Sequence, residues 1–553
     1  MTIEDDIRLQ AIKNAFLHDG KAEVKAVSAK IFGEHAEARI DPKKVISMVN
    51  TIVNEVNSMG REAIESEAVK HFPELLEKGT QKEEKRLPDL DNVGDRVVMR
   101  LAPSPSGPLH LGHSRMAILN DEYVKRYGGE LILRLEDTNP ANIDMNAYEM
   151  IPEDLKGLGV RVDKIVIQSD RFDLYYEEAR KLIARGNAYV CFCRQEDFRA
   201  LKIESKSCPH RDIEPQENMR RFEEILAGKY RAGEATVVIK TDLRHPNPSL
   251  RDWIAFRIGK AKHPRTGEKY HLYPMMNFSV AVDDHYLGLT HVLRGKDQLN
   301  NTSRQRFIFD YNQWQVPQYY HYGMISIPGE RLKTSIIRKD INAGKYSGWD
   351  DIRLNTIRSL LKRGYQPETF RRYWIESGLR EIDAGFSWEI FNSMNREVVD
   401  RNAKRLFFVK DPVKFKVRHS PEMDVKIPFH PEHKEMGFRE FNMKADTEVF
   451  ISSDDLNKLE TNPSIRLKDL YNVSLKGKDL VYSDDQKFDP KTTRIIHWCP
   501  PNSDNFEVLR PDGNRDTGLI EKSHLLVQGI SQFERYGYVT LSRKNDEGYF
   551  LHK

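Results

Sequence analysis

The sequence is 553 residues long, with 39% hydrophobic and 31% charged residues and a formal net charge of +3. At about 150 residues per domain this length predicts roughly three to five domains, and the composition is typical of a large protein with ordinary cores. The small net charge excludes a chain that is basic throughout, although a basic groove can exist within a near-neutral total.

The sequence carries no signal for a membrane or for secretion. No apolar run approaches the ~18 residues of a membrane span, and the acidic start "MTIEDDIR" is unlike a signal peptide. Four cysteines in so long a chain argue against a disulfide framework. We therefore expect a cytoplasmic protein with no membrane contact.

The first 90 residues are predicted to form a helical N-terminal domain. Asp41-Pro42 is typical of a helix start, because an N-cap residue is followed by proline at the first helical position. Valine and isoleucine then recur at helical spacing from Val45 to Val56. A charged segment punctuated by proline and glycine predicts a linker at about residues 78–95.

A strand–helix–strand unit follows the linker. The run "RVVMRLA" predicts a buried strand, a helix is expected from Ser114 to Tyr127 before Gly128-Gly129, and "LILRLED" predicts a second strand. This order predicts a parallel sheet, in which ligands bind at the carboxyl ends of the strands. Both "APSPSGPLHLGH" (102–113) and "EDTN" (136–139) follow such ends. The two stretches should therefore face one crevice.

The rest of the chain predicts less regular and then all-β structure. The pattern is irregular from about residue 190 to 275, strand-like with a turn over Val280–Asp297, and helical over residues 345–400. Beyond about residue 400, short alternating runs such as "VKFKV" and "TRIIHW" are separated by turn residues. They predict an all-β C-terminal module of the barrel type.

Two histidines give the first chemical signal. His110 and His113 share one face at a helix N-terminus, where backbone N–H groups already favour an anion. Each imidazole can donate a hydrogen bond to phosphate oxygens, and Gly112 lets a nucleotide approach the backbone. The pattern indicates a site for a triphosphate that is attacked at its α-phosphate. The alternative is a pair of surface histidines, since so short a motif often matches by chance.

The stretch "APSPSGPLHLGH" resembles the HIGH signature of class I aminoacyl-tRNA synthetases, in the form used by glutamyl and glutaminyl enzymes. Further stretches resemble the same family in the same order, among them "LRLEDTNP", "QSDRFDLYYEEARKLIARGNAYVCFC", "VDDHYLGLTHVLRGKDQLNNT" and "GKYSGWDDIRLNTIRSLLKRG". The likeness extends from about residue 95 to the C-terminus. The helical start and the β-rich end fit the archaeal and eukaryotic branch.

The resemblance implies a multidomain α/β plus all-β fold. Residues 1–90 would form a helical N-terminal domain. A Rossmann catalytic domain would follow in two halves, residues 91–190 and 273–325, separated by an acceptor-end-binding insertion over residues 191–272. A helical connector would cover residues 326–398, and anticodon-binding β-barrels would cover residues 399–553.

The resemblance also implies a reaction. The α-carboxylate of L-glutamate would attack the α-phosphorus of ATP bound with Mg²⁺, and a 3′-terminal ribose hydroxyl of tRNA-Glu would then take the glutamyl group. Charging of tRNA-Gln stays open, and we expect a monomer. Such chemistry needs alignment and charge stabilisation, which suits the two histidines. The implied ATP-binding residues are Pro103, Ser104, Pro105, Gly107, His110, Gly112, His113 and Lys333.

The second ATP signature of the family, KMSKS, is incomplete here. In "GERLKTSIIRKD" (329–340), Lys333, Thr334 and Ser335 match its first three positions, whereas its second lysine falls on Ile336. We expect Arg338 or Lys339 to supply the missing charge, so that Lys333, Ser335 and Arg338 join the histidines as catalytic residues. The alternative is that Lys333 and the histidines suffice and adenylation is slower.

Selection of glutamate over glutamine needs a cation, and arginine matches a carboxylate with its planar fork. By the family pattern Arg100 and Arg294 contact the substrate carboxylates, and glutaminyl enzymes lack the second arginine. Without the resemblance, arginines at strand ends are mostly solvated. Glutaminyl-tRNA synthetase is the alternative. The implied glutamate pocket also contains Ala102, Ser104, Glu136 for the α-ammonium group, and Met276 in place of the usual tyrosine.

A cysteine–histidine cluster predicts a structural zinc site. Cys191, Cys193, Cys208 and His210 form a C-x-C…C-x-H pattern, and three thiolates with one imidazole are a usual tetrahedral set for zinc. A reducing cytoplasm makes zinc a better explanation than disulfides. The alternative is a group of buried thiols. Cys499 is expected to be a core residue.

The tRNA backbone is expected to meet scattered basic residues, at Arg220–Phe222, Arg371–Trp374 and Asn402–Phe408. Two other classes of protein remain as alternatives. A nucleotidyltransferase with an H-x-G-H motif would leave the connector and barrels unexplained. A tRNA-binding relative without catalysis is favoured by Ile336 alone.

Overall fold

A computed structural model describes residues 2–17, 20–35, 41–72, 86–328, 334–459, 464–488, 493–542, 544 and 546–553. The chain divides into two compact units, residues 1–86 and 87–553. Lys333 and residues 78–85 of the predicted linker lie outside the described residues. None of the described helices is both long and apolar enough to cross a membrane.

The first unit consists of helices around a small aliphatic core. In the third helix Asp41 is the N-cap, and its side chain accepts a hydrogen bond from the Lys44 N–H at 3.2 Å. This confirms the predicted helix start. The helix buries the valines and isoleucine that recur at helical spacing. The helices are α1 (Ile3–Leu17), α2 (Val24–Glu34), α3 (Pro42–Ser58) and α4 (Arg61–His71).

The second unit begins with the predicted parallel sheet. β1 pairs with β2 and β2 pairs with β3, both in parallel, which confirms the strand–helix–strand unit. The helix after β1 ends where Gly128 adopts a left-handed conformation with φ 63°. The elements are β1 (Val98–Leu101), α5 (Leu111–Tyr127), β2 (Glu130–Leu135), α6 (Ala147–Gly157), β3 (Lys164–Ile167) and α7 (Phe172–Ala184).

The segment expected to be irregular forms an antiparallel sheet with the strand order β4-β5-β6-β7. Its strands are three to six residues long, too short to show a clear alternation in the sequence. The elements are β4 (Ala188–Cys191), α8 (Gln195–Ile203), α9 (Pro215–Leu226), β5 (Thr236–Ile239), β6 (Trp253–Ile258) and β7 (Leu272–Pro274).

The chain then returns to the parallel sheet. The Val98 N–H donates to Thr290 Oγ1 at 2.9 Å, which places β8 beside β1, and β8 pairs in parallel with β9. The strand expected near Val280 is wrong, because Phe278–Asp284 is a helical run buried on all sides and so shows no helical period. The elements are α10 (Met276–Tyr286), β8 (His291–Gly295), α11 (Leu299–Asn312) and β9 (Gln318–Tyr322).

A mainly helical region connects this sheet to the C-terminal module, as predicted. The short strands β10 and β11 pair in parallel across it. Its elements are β10 (Ile325–Ser326), α12 (Thr334–Asn342), α13 (Ile357–Arg363), α14 (Pro367–Ser377), β11 (Ala384–Gly385) and α15 (Trp388–Asp400).

The C-terminal module is almost entirely β, as the alternating runs predict. A seven-stranded sheet has the order β12-β24-β25-β26-β22-β23-β13, a six-stranded sheet the order β17-β14-β20-β19-β18-β21, and β15 and β16 form a hairpin. Cys499 is fully buried in this module, which confirms it as a core residue. The elements are β12 (Lys404–Leu406), β13 (Phe408–Lys410), β14 (Pro412–Arg418), β15 (Met423–Pro428), β16 (Phe438–Met443), β17 (Glu448–Ser452), α16 (Ser453–Leu459), β18 (Ser464–Leu467), β19 (Asn472–Lys476), β20 (Asp479–Tyr482), β21 (Arg494–Ile496), β22 (Asp504–Leu509), β23 (Arg515–Ile520), β24 (Ile530–Phe533), β25 (Gly537–Leu541) and β26 (Glu547–His552).

Candidate active site

The two histidines lie at the N-terminus of α5, which begins three residues before the predicted Ser114. His110 is the N-cap, and its Nδ1 accepts a hydrogen bond from the Gly112 N–H at 3.1 Å. The His110 N–H donates to His113 Nδ1 at 3.3 Å, and the two rings stack with centroids 3.7 Å apart. Because both Nδ1 atoms accept, each neutral ring carries its proton on Nε2. Both Nε2–H groups can therefore donate to a ligand.

The protonation state of the histidines agrees with this geometry. Burial lowers the pKa of His113 to about 4. Burial, followed by the nearby His113, lowers the pKa of His110 well below its usual value. Both rings are therefore neutral hydrogen-bond donors at neutral pH rather than cations.

The connector holds the histidine segment in place by backbone pairing. The Leu111 N–H donates to the Asn355 carbonyl at 3.0 Å, and the Ile357 N–H donates to the Leu109 carbonyl at 2.9 Å. The sequence gives no signal for this contact, because the paired segments are almost 250 residues apart and neither alternates as a strand does. The position of the first signature thus depends on the segment before α13.

A cavity of about 340 Å³ lies between the first signature and α12. Gly107 allows the close approach of the two, since a Cβ atom at this position would lie 2.4 Å from Thr334 Cγ2 and 3.3 Å from the Trp349 ring. The residues that line the cavity come from both signatures and the connector, and are Pro108, His110, Thr334, Ile336, Ile337, Asp340, Lys345, Tyr346, Trp349, Arg353, Leu354, Asn355 and Thr356.

The remaining residues of the first loop are fixed by the neighbouring strand ends. The Glu136 N–H donates to the Pro103 carbonyl at 3.0 Å, and the Asp144 N–H donates to the Pro105 carbonyl at 2.8 Å. The loop and the "EDTN" stretch thus lie side by side, as expected for segments that follow neighbouring strand ends. Ser104 is exposed and Ala102 is half-buried beside them.

The second signature is docked on this loop through Arg338. Its guanidinium donates to the Ser106 carbonyl and lies 3.3 Å from the Asp144 carboxylate. Arg338 is not among the residues that line the cavity, whereas Ile336 is, with 40% of its surface exposed. Ser335 lies in the first turn of α12. Lys333 lies outside the described residues.

Two arginines are buried near the carboxyl ends of β1 and β8. Arg100 is 4% exposed and Arg294 is 6% exposed. Arg294 donates to Thr302 Oγ1 and, at 2.9 Å, to Gln305 Oε1, and its guanidinium lies 4.7 Å from the centre of the Tyr319 ring. Among the described residues neither arginine has an ion-pair partner, and both Nε atoms are buried without a hydrogen-bond acceptor. Burial and then the charge of Arg100 lower the pKa of Arg294 to about 10.

Glu136 follows the carboxyl end of β2, at the same edge of the sheet, but its environment is different. Its carboxylate accepts hydrogen bonds from Arg134 Nη2 at 2.9 Å and Nε at 3.2 Å. Burial raises the pKa of Glu136, and the charges of Arg134 and Arg100 oppose that rise. Arg134 also binds Asp284 at 2.6 Å, so it anchors Glu136 to α10. Sequence reasoning did not identify Arg134, Asp284 or Gln305.

Met276 lies close to the arginine pocket. Gln305 Nε2 is 3.8 Å from Met276 Sδ, and the same amide accepts the hydrogen bond from Arg294. A thioether accepts hydrogen bonds only weakly. Gln305 Nε2 also donates to Asn277 Oδ1 at 3.3 Å, so the amide keeps an oxygen acceptor beside the weak thioether.

The four predicted zinc ligands come together at the end of β4. Cys191, Cys193, Cys208 and His210 place one ligand atom each within 4.8 Å of one another, and all three thiols are free. Cys191 Sγ lies 3.6 Å from Cys208 Sγ, and His210 Nδ1 lies 3.5 Å from Cys193 Sγ. A tetrahedron with Zn–S bonds of about 2.3 Å has edges of roughly 3.8 Å, so these distances suit one zinc ion.

The basic runs chosen from the sequence as tRNA contacts are largely neutralised. Arg220 binds Glu217 and Glu224, Arg371 binds Asp121 and Glu122, and Arg372 binds Glu376 and Glu397. Arg405 lies 2.8 Å from Asp400. Carboxylate pairing of this kind weakens the field that each run presents to a polyanion.

Comparison with known proteins gives the same family along most of the chain. The family described as tRNA synthetases class I (E and Q), catalytic domain, matches residues 96–401, and its anti-codon binding domain matches residues 403–487. A glutamate–tRNA ligase of Thermoplasma volcanium is 57% identical over 99% of this chain and 100% of its own length. Its counterpart in Thermoplasma acidophilum is 57% identical over 92% of each chain, and that of Methanocaldococcus jannaschii is 44% identical over 99% of each.

Proposed function

We propose that this chain, which belongs to the class I tRNA synthetases of the E and Q group, attaches L-glutamate to the 3′ end of tRNA-Glu. The reaction consumes ATP, passes through a glutamyl-adenylate and releases pyrophosphate and AMP. The observation that carries the proposal is the pair of buried guanidinium groups of Arg100 and Arg294, which have no carboxylate partner among the described residues. The ligase names of the full-length relatives support it.

The charge of the pocket favours glutamate over glutamine. Burying two cations that have no direct ion-pair partner is costly, and a substrate with two carboxylates offsets that cost. The amide of glutamine has the shape of a carboxylate but no charge, so it would leave one arginine uncompensated. Glu136 would take the α-ammonium group, and Ala102, Ser104 and Met276 would complete the pocket. A glutaminyl enzyme is therefore not favoured.

The two histidines act on the phosphates of ATP, which enters with Mg²⁺ as part of the substrate. A carboxylate oxygen of glutamate forms a bond to the α-phosphorus while the bond to the pyrophosphate oxygen breaks. Negative charge builds on the phosphate oxygens, and the Nε2–H groups of His110 and His113 donate to them. Neutral donors held by a helix N-terminus stabilise this charge without a change in protonation.

The second signature contributes Lys333, Ser335 and Arg338 to this step. Arg338 compensates for Ile336 indirectly, because it fixes α12 on the first loop through the Ser106 carbonyl and Asp144. The loop residues Pro103, Pro105, Gly107 and Gly112 let the nucleotide approach the backbone. In the second step a ribose hydroxyl of the tRNA attacks the glutamyl carbonyl carbon and AMP leaves.

The cluster of Cys191, Cys193, Cys208 and His210 holds a structural zinc ion. The Cys193 N–H donates to Cys191 Sγ and the His210 N–H donates to Cys208 Sγ, each at 3.4 Å, and such bonds stabilise thiolate ligands. The test is the metal content of the purified protein: one zinc per chain is expected, lost in Cys208→Ser and retained in Cys499→Ser. Absence of zinc from the unaltered protein would contradict the proposal.

The function is tested by aminoacylation with labelled glutamate or glutamine, each with tRNA-Glu, tRNA-Gln or no tRNA, together with pyrophosphate exchange. Glutamylation of tRNA-Glu is expected, and added glutamylation of tRNA-Gln would widen the substrate range. We expect a monomer that acts in the cytoplasm. Charging with glutamine would contradict the role of Arg294, and no adenylation under any condition would favour a tRNA-binding relative without catalysis.

A further inference from the structure

A buried carboxylate that the proposed mechanism does not use lies behind the first signature. Asp154 belongs to α6 and is 2% exposed. Its Oδ2 atom accepts a hydrogen bond at 2.8 Å from the N–H of Leu109, the residue that precedes His110. None of the described residues that line the cavity between the two signatures comes from α6. Asp154 therefore holds the backbone that carries His110 without lining the cavity.

The connector fixes Asp154 from the other side. Arg358, in the first turn of α13, places its Nη2 atom 3.0 Å from Asp154 Oδ1, and the same atom donates to the Met150 carbonyl at 3.1 Å. One oxygen of the carboxylate thus meets the loop, and the other meets the connector. Because a buried charge is costly unless it is paired and hydrogen-bonded, the two contacts support each other.

The backbone of Leu109 is held on both sides. Its N–H donates to Asp154, and its carbonyl accepts from the Ile357 N–H at 2.9 Å. Ile357 and Arg358 are adjacent in the chain, so the connector supports Leu109 directly through the backbone and indirectly through Asp154. A charged acceptor makes a stronger hydrogen bond than a neutral one, and Leu109 is itself 2% exposed. Removal of the carboxylate would therefore leave a buried N–H without its acceptor.

We propose that Asp154 is a positioning residue for adenylate formation, which acts through Leu109 by fixing the place of the His110 ring. The inference rests on the proposed function, since it takes the phosphates of ATP as the groups that His110 contacts. A displacement of about 1 Å in a group that stabilises the transition state can cost roughly 100-fold in rate. The effect of Asp154 should therefore fall on kcat rather than on the binding of ATP.

The kinetic test is pyrophosphate exchange by the full chain with tRNA-Glu present, expressed per active site. Asp154→Leu removes the acceptor of the Leu109 N–H, so kcat should fall by roughly 10- to 100-fold while the KM for ATP changes by less than about threefold. Asp154→Asn keeps an oxygen acceptor at the same position and should recover most of the rate. In a His110→Ala background, Asp154→Leu should cost less than about twofold, because the ring that it positions is absent.

The matched control is Glu153→Gln. Glu153 is the neighbour of Asp154 and lies 3.4 Å from the same Arg358, but it is 68% exposed. This variant should leave kcat unchanged. Arg358→Gln is a second variant in case Asp154→Leu does not fold, because it loosens the carboxylate without altering it. It should give a smaller loss of kcat that also disappears in the His110→Ala background.

Amide hydrogen exchange of the free protein gives a readout that does not depend on catalysis. Exchange in peptides that cover residues 105–113 should be about tenfold faster in Asp154→Leu and unchanged in Glu153→Gln. Unchanged exchange or kcat in Asp154→Leu would overturn the proposal, as would an equal loss of kcat in the control or in the His110→Ala background. A chain that shows the expected exchange but forms no glutamyl-adenylate would contradict the proposed function alone.

Discussion

Arg134 and Arg294 are both buried arginines near the carboxyl ends of parallel strands, yet their surroundings are opposite. Arg134 is fully buried and ion-paired with Asp284 and Glu136, and these carboxylates raise its pKa despite burial. Arg294 is 6% exposed, contacts neutral side chains, and has a lowered pKa. The charge of Arg134 is therefore compensated by carboxylates of the protein itself. Arg294 has no ion-pair partner among the described residues, which is why we propose it as a substrate-binding residue.

The largest effect is expected where the compensated arginine is removed. Arg134→Met removes the ion-pair partner of the buried Asp284 and of Glu136, and breaking a buried ion pair in this way costs about 3–5 kcal/mol. The measurement is the urea midpoint of the cooperative transition of the catalytic region. Arg161→Met is the control, since Arg161 is 75% exposed in its pair with Asp163 and should change stability by less than about 0.5 kcal/mol. An equal loss of stability in Arg134→Met and Arg161→Met would show that the buried ion pairs of Arg134 contribute no more than an exposed pair.

A smaller effect is expected when Gln305, the neutral hydrogen-bond partner of Arg294, is replaced. Gln305→Leu removes the amide oxygen that accepts from Arg294 at 2.9 Å. A hydrogen bond to a charged group contributes about 1.5–3 kcal/mol, so kcat/KM for glutamate should fall by roughly 10- to 100-fold. Steady-state aminoacylation checks this, with KM for tRNA as an internal control. Unchanged glutamate kinetics would show that Arg294 is positioned by other contacts.

The contact between Arg338 and Asp144 should have a modest and non-additive effect. Arg338→Gln and Asp144→Asn each break one docking contact of α12, and a partly exposed ion pair is worth up to about 1 kcal/mol. If Arg338 acts by docking, the double variant should lose no more adenylation rate than either single variant. If Arg338 instead binds the phosphates directly, Asp144→Asn should leave the rate unchanged while Arg338→Gln lowers it.

The sequence identified the residues of the candidate site better than the contacts that hold them in place. Short motifs contain His110, His113, Arg100 and Arg294. Such motifs can be recognised from the sequence without knowledge of the fold. Arg134 shows no such signal, because its partners Asp284 and Glu136 come together only when α10 packs on the sheet.

Two local predictions failed for physical reasons. Phe278–Asp284 is buried on all sides, so neither a helical nor a strand period is visible in it. The insertion builds its sheet from strands too short to alternate. The tRNA contacts expected at the charge runs stay a prediction, and in the run Arg220-Arg221 both cations pair with Glu217.

The smallest effect concerns pH. A buried histidine with a lowered pKa stays neutral down to low pH, so His113, with a pKa of about 4, should not titrate between pH 7.5 and 5.5. Because the folded state binds fewer protons there than the unfolded state, the stability contributed by neutral His113 is lost as the pH falls from 6.5 towards 4. Single-turnover adenylation should therefore show no inflection near pH 6.5. An inflection that disappears in His113→Gln would contradict this.

The most direct test of the uncompensated arginine is Arg294→Gln, assayed for kcat/KM with glutamate and glutamine and for its urea midpoint. The account predicts a loss of glutamate charging of 100-fold or more, consistent with about 3 kcal/mol for a buried charged hydrogen-bond pair, with no loss of stability. An unfolding midpoint lowered as far as in Arg134→Met would make Arg294 a structural residue. Glutamate charging at the unaltered rate would show that another group recognises the substrate carboxylate.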